Sequence, residues 1–187
     1  MVSFPSRRAW RWIVPLAVLA GLGAAAASFL HLRALRYHRY DAAIRRCATR
    51  HAIPPELVWA VTWKESRFDP DRVGRAGEIG LMQVRRDAAA EWAKASGVPQ
   101  FNPSDLFDPG TNIAAGTWYL ARSVERWIAR PDPFPYALAE YNAGRANARR
   151  WAALAPDGDT RTFLGQVSYG STRRYIADVL NRCRGDF

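Results

Sequence analysis

From Ile13 to Leu30 the chain runs 18 residues without a charged side chain, between arginines at 7, 8 and 11 and arginines at 33, 36 and 39. As a helix this run is about 27 Å long at ~1.5 Å per residue, close to the ~30 Å of a bilayer's hydrocarbon core. A buried helix of a soluble fold is disfavoured, because the arginines flank the run as water-facing ends. Its length points to an uncleaved anchor, while Ala24–Ser28 supply the small residues of a cleavable signal, and both readings stand. The positive-inside rule keeps Arg7, Arg8 and Arg11 cytoplasmic and exports the remainder either way. The expected division is an N-terminal signal-anchor or signal peptide at 1–39 and one folded domain at 40–187.

The formal charge of +10 is unevenly placed. Up to residue 46 there are eight arginines and one acid, a balance of +7, whereas 47–187 hold 19 basic and 16 acidic groups. The excess therefore reports on topology. With +3 and no basic-aromatic motif, the domain lacks the electrostatic footprint of a nucleic-acid binder. In an exported domain Cys47 and Cys183 are either a bridge between the first and last helices or two buried free thiols. His31, His38 and His51 are too few and too near the arm to form a metal site, so no metal or other cofactor is expected.

Prolines and glycines punctuate the domain into helices. Pro54-Pro55 opens one that carries Leu57, Val58, Ala60 and Val61 to about Ser66, and Asp69-Pro70 stops it. Asp87–Ala95 is helical and ends at Gly97-Val98-Pro99. Asp108-Pro109 supplies an N-cap and first-turn proline for a long helix through Ile128 to Pro131. Pro135 opens another that ends at Gly144, followed by helices at 145–154 and about 171–184. Period-2 alternation is nearly absent, so the domain is all-α.

Three segments stand out from this pattern. Trp63-Lys64-Glu65-Ser66 places a carboxylate at the C-terminal end of an apolar helix, where the helix dipole and desolvation by neighbours such as Trp63 both favour its protonated form. A carboxylic acid held protonated near neutrality can donate to a leaving sugar oxygen. Gly74–Gln83 has glycines at 74, 77 and 80, a tight turn where backbone approaches something closely, anchored by Leu81 and Met82 with the Gln83 amide free for a polar ligand. The last, Ala139-Glu140-Tyr141-Asn142-Ala143-Gly144, is a helix stop unless Tyr141 and Asn142 face a cleft.

These segments, with Leu106-Phe107-Asp108-Pro109, Asn112-Ile113-Ala114-Ala115-Gly116 and Thr172-Arg173-Arg174-Tyr175-Ile176, fall in the order seen in the catalytic domain of soluble lytic transglycosylases, which residues 42–184 resemble. The resemblance implies a lysozyme-like helical fold of the goose-type architecture. It also implies peptidoglycan glycan strands as substrate, cleaved between N-acetylmuramic acid and N-acetylglucosamine with a 1,6-anhydromuramoyl product. Glu65 is implied as the single general acid/base, with Ser66, Met82, Gln83, Tyr141, Asn142 and Tyr175 around the substrate. A monomer is expected, tethered to the inner membrane with its domain in the periplasm, or released there if the signal is cleaved.

Ser171 departs from the acid the family often places before Thr172-Arg173. Glu78 on the glycine-rich turn is expected to face solvent; as a second carboxylate it makes the chain a hydrolytic goose-type lysozyme. The remaining alternative is a non-catalytic glycan-binding accessory of an envelope-spanning apparatus.

Overall fold

The computed structural model describes residues 7–156 and 158–184. They divide into two compact units at Arg39/Tyr40. The first is one helix, α1, Arg7–His38, exposed at every position from 14 to 30. Its apolar stretch is long enough to cross a membrane by length and composition. Side chains such as Leu16, Leu19, Leu22 and Phe29 have no protein surface over them.

The second unit contains α2 (Asp41–Arg50), α3 (Pro55–Ser66), α4 (Arg86–Ala95), a 3-10 turn at Pro103–Phe107, α5 (Pro109–Arg126), α6 (Phe134–Ala143), α7 (Arg145–Ala153), α8 (Thr160–Gln166) and α9 (Gly170–Cys183). Among the described residues extended pairing is confined to two isolated bridges, Val73 with Ile79 and Ile79 with Val84. The all-α expectation holds. Helix α3 buries Leu57, Val58, Ala60, Val61 and Trp63 around its circumference, as a helix packed on several sides must. It lies against α2 and α9, and α6 packs on α5, α7 and α9. Tyr136, Ala137, Leu138 and Ala139 of α6 are fully buried, which makes this helix the centre of the core.

Local chemistry explains most helix ends. Asp108 caps α5, its carboxylate accepting from the Thr111 amide at 2.8 Å, and Asp159 caps α8 through Thr162 at 2.7 Å. Helix α3 stops before Asp69-Pro70, because Arg67 and Phe68 both adopt left-handed backbone (φ 56 and 60). Helix α5 ends at Arg126 rather than running past Ile128: the next indole turns inward, and Trp127 Nε1 donates to Glu140 at 2.8 Å.

The two cysteines are free thiols, so the bridge considered from their even count is not formed. Cys183 on α9 instead directs its Sγ to the Glu56 carbonyl at 3.6 Å, at the start of α3. Trp63 also differs from expectation. It lies between two guanidinium groups, Arg67 and Arg182, at 3.3 and 3.4 Å from the ring centroid, and does not line the cleft that holds Glu65.

Candidate active site

The last turn of α3 brings Glu65 to a cleft of about 730 Å³. Next to it Ser66 is buried, and its hydroxyl donates to the Leu81 carbonyl at 2.7 Å and the Thr62 carbonyl at 3.3 Å. Ser66 therefore fastens the glycine-rich segment to the end of α3 and does not reach the cleft. That segment folds on itself: the Ile79 and Val84 backbones exchange two hydrogen bonds of 3.0 Å, and the Gly80 amide donates to Arg72 at 2.8 Å.

Gly80 has φ +75 and leaves no room for a side chain, since a Cβ there would lie 2.3 Å from Asn112 Nδ2. The close approach exists because Asn112 of α5 is a buried strut. Its Nδ2 donates to the Ile79 and Leu106 carbonyls, and its Oδ1 accepts from the Met82 amide, all at 2.8 Å. Asn112→Ala takes the acceptor from the buried Met82 amide and a donor from each of the Leu106 and Ile79 carbonyls, the latter keeping its bond from Val84, and is expected to destabilise the domain by roughly 3 kcal/mol, about 10 °C in Tm, read by thermal unfolding.

The strut positions Met82, whose fully buried side chain packs on Gly116 and offers nothing to the cleft. Its carbonyl is the useful group, accepting from the Tyr141 hydroxyl at 2.8 Å. Gln83 does line the cleft, in left-handed backbone (φ 48), but its amide nitrogen is used by its own loop, donating to Arg72 and Gly80 carbonyls at 3.1 and 3.0 Å. Asn142, at the end of α6, also lines the cleft, with its Oδ1 accepting from the Thr172 hydroxyl at 2.8 Å. Tyr175 of α9 is buried and donates to Glu65 Oε1 at 2.7 Å.

These surroundings set the proton affinity of Glu65. Burial pushes its pKa from 4.5 up to about 7. The Tyr175 hydrogen bond and the Arg72 charge hold it down, and Glu78 pushes it up. Tyr141 and Tyr175 themselves lie well above 10, chiefly from burial and then from the nearby Glu65 charge, so both remain hydrogen-bond donors.

Of the residues singled out in the sequence, Glu65, Gln83, Tyr141, Asn142 and Tyr175 converge on one cleft, while Ser66 and Met82 support it from behind. Glu78 is half-buried and lines the cleft rather than facing solvent, its Oε2 accepting from the Ala76 amide at 3.1 Å. Tyr119 also lines the cleft, its ring edge-on to Tyr141 with centroids 5.8 Å apart. Neither Tyr119 nor Arg72 carries a sequence signal; Asn112 and Thr172 stand inside motifs that pointed only to the general resemblance.

Comparison with known proteins decides the family. The profile of the Transglycosylase SLT domain matches residues 42–164. The chain belongs to this family. Its SLT-domain relatives include the soluble lytic murein transglycosylase of Escherichia coli, 29% identical over 143 residues, covering 75% of this chain and 22% of that protein. The membrane-bound lytic murein transglycosylase C of Yersinia pestis is 40% identical over 162 residues, 77% of this chain and 45% of the other. Among solved structures, the 70-kDa soluble lytic transglycosylase of Escherichia coli superposes with a TM-score of 0.71 at 28% identity, over 77% of this chain and 23% of that one. The chain thus spans between about a fifth and a half of the length of these relatives. The lysozyme-like fold implied by the motifs is the fold of these SLT-domain neighbours. The matched span ends within α8, yet Tyr175 from α9 completes the contact to Glu65.

Proposed function

We propose that this SLT-domain chain is a lytic transglycosylase that cleaves peptidoglycan glycan strands between N-acetylmuramic acid and N-acetylglucosamine. The observation that carries the reading is Glu65, a carboxyl group with a pKa of about 7 on the floor of an open cleft, held by Tyr175. At neutral pH a large fraction is protonated and can donate to the glycosidic oxygen as the bond to C1 breaks and oxocarbenium character develops. The carboxylate so formed then removes the proton of the muramoyl C6 hydroxyl, whose oxygen bonds to C1 and closes a 1,6-anhydro ring. Protons and electrons balance without water. Glu65 returns protonated.

Tyr175 positions the carboxyl group and moderates its pKa. Tyr175→Phe removes a donor to the charged form, so the Glu65 pKa rises further, the alkaline limb of the pH–rate profile moves to higher pH, and turnover falls roughly 10- to 100-fold. Asn142 retains its amide nitrogen, and Gln83 its amide oxygen, for N-acetyl or hydroxyl groups of the sugar. Helix α1 anchors the domain to the inner membrane from the periplasmic side, in keeping with membrane-bound relatives.

One observation favours a second reading, hydrolysis. Glu78 lines the same cleft and interacts electrostatically with Glu65, as a carboxylate activating water does. Mass spectrometry of muropeptides released from sacculi separates the two. Transglycosylation gives products one water lighter than hydrolysis, and binding without release identifies a non-catalytic glycan-binding domain.

A further inference from the structure

Four cationic side chains near Glu65 line the cleft, Lys64, Arg72, Arg75 and Arg85. Two are already ion-paired: Lys64 with Asp178, and Arg85 with Asp87, which lines the same cleft, at 3.2 Å. Arg72 and Arg75 are exposed and form no ion pair with any carboxylate among the described residues. They stand on a built turn. The Gly74 amide donates to the Glu78 carbonyl at 2.7 Å, Gly77 closes back on Gly74 at 3.2 Å, and the Glu78 carboxylate takes the Ala76 amide. A Cβ on Gly74 would lie 2.2 Å from Glu78 Oε2, so Glu78 packs directly beneath the turn that carries Arg75. Glu78 is thereby occupied in holding the turn, and both guanidinium groups line the cleft without a carboxylate in ion-pair contact, although the Arg72 charge is felt by Glu65.

We infer that Arg72 and Arg75 recognise the carboxylates of the stem peptide on the muramoyl residue, so that the preferred substrate is a peptide-bearing glycan strand rather than a stripped one. The inference rests on the glycan-cleaving reading above. A disaccharide backbone of N-acetylated sugars is neutral apart from its lactyl-linked peptide, and the peptide's free carboxylates are the polymer's nearest anions to the scissile bond. A guanidinium presents several donors in a fixed plane and matches a carboxylate two bonds at a time. Being exposed, each pair contributes modestly and is screened by salt, so selectivity rather than raw affinity is the expected readout.

The test uses the full chain in detergent and three forms of one substrate: sacculi with native stems, sacculi whose stem carboxylates have been converted to amides, and strands stripped of peptide by an amidase, with the lactyl carboxylate that hydrolysis frees then converted to an amide. The expected kcat/KM on native stems exceeds that on the other two by roughly fivefold, the scale of two exposed charge pairs, and the margin shrinks with added salt. Arg75→Gln is the cleaner variant, because Arg72 also acts on the proton affinity of Glu65. It is expected to remove much of the margin through KM with kcat and the pH profile unchanged, and Arg75→Lys to restore part of it. Equal rates on native and amidated stems, or a margin untouched by Arg75→Gln, overturn the inference. Co-sedimentation of the same proteins with native and amidated sacculi reads binding without turnover. If the chain cleaves none of the three substrates, the proposed function fails, while the binding difference still decides the role of the arginines.

Discussion

Replacing Glu65 by Gln is expected to abolish release of muropeptides from sacculi, by about 10³-fold or more, while the domain remains folded. The amide fills the same space and can still meet the Tyr175 hydroxyl, which donates to Glu65 at 2.7 Å, but it has no proton to give at neutral pH. A loss of less than tenfold would place the acid elsewhere. The same variant reports on the cost of keeping the acid in its site. In the unfolded chain Glu65 ionises near its ordinary 4.5, whereas the folded domain holds the proton to about 7. Between those values the folded state binds more protons, so its stability declines as pH rises from about 4.5 to about 7. Above that window the ionised carboxylate costs on the order of 3 kcal/mol, an expense the amide does not carry. Denaturant melts at pH 5 and pH 8 should therefore show Glu65→Gln gaining on the wild type as the pH increases. Turnover by the wild type should fall over the same rise, since the donor is being lost.

The second large effect belongs to Glu140. Its side chain is 1% exposed, ion-paired with Arg126, and bonded to Trp127 Nε1 at 2.8 Å. Glu140→Leu strands a partly buried guanidinium and an indole donor together and is expected to cost about 3–4 kcal/mol. For a domain whose whole stability is ~5–15 kcal/mol, this is enough to unfold a sizeable fraction at physiological temperature. Thermal unfolding monitored by far-UV circular dichroism checks it. A double replacement, Arg126→Met with Glu140→Met, should recover much of the loss, because paired removal leaves no uncompensated charge. Glu140 immediately precedes Tyr141 and Asn142, so the pair also sets where the end of α6 lies across the cleft. The single variant should lose turnover beyond what unfolding explains.

Legibility in the sequence followed the range over which each signal acts. Pro54-Pro55 and Asp108-Pro109 are local devices, and the helices they open begin where expected. Glu65 could be singled out because its helix and its position in the last turn are both local facts. The end of α3 at Ser66 falls where expected, but the left-handed backbone of Arg67 and Phe68 that makes the stop there is not written in those two ordinary residues. Tyr175 reaches Glu65 across 110 positions of sequence, and only the resemblance suggested it. Met82 and Ser66 show the limit of motif reading: both belong to the site's motifs, yet the first contributes a carbonyl and the second a fastening to Leu81. Trp63 and Glu78 were misplaced for one reason. Their surroundings come from α9 and from the folding back of the 74–80 turn, neither of which any local pattern records.

The measurement that bears most directly on the mechanism is digestion of sacculi by the full chain in oxygen-18 water, with mass spectrometry of the released muropeptides. If the muramoyl C6 hydroxyl is the nucleophile under control of Glu65, the products carry no heavy oxygen and are lighter by one water than their hydrolysed counterparts. Heavy oxygen at C1 of a reducing-end muramoyl product would show that water attacks and would contradict the account.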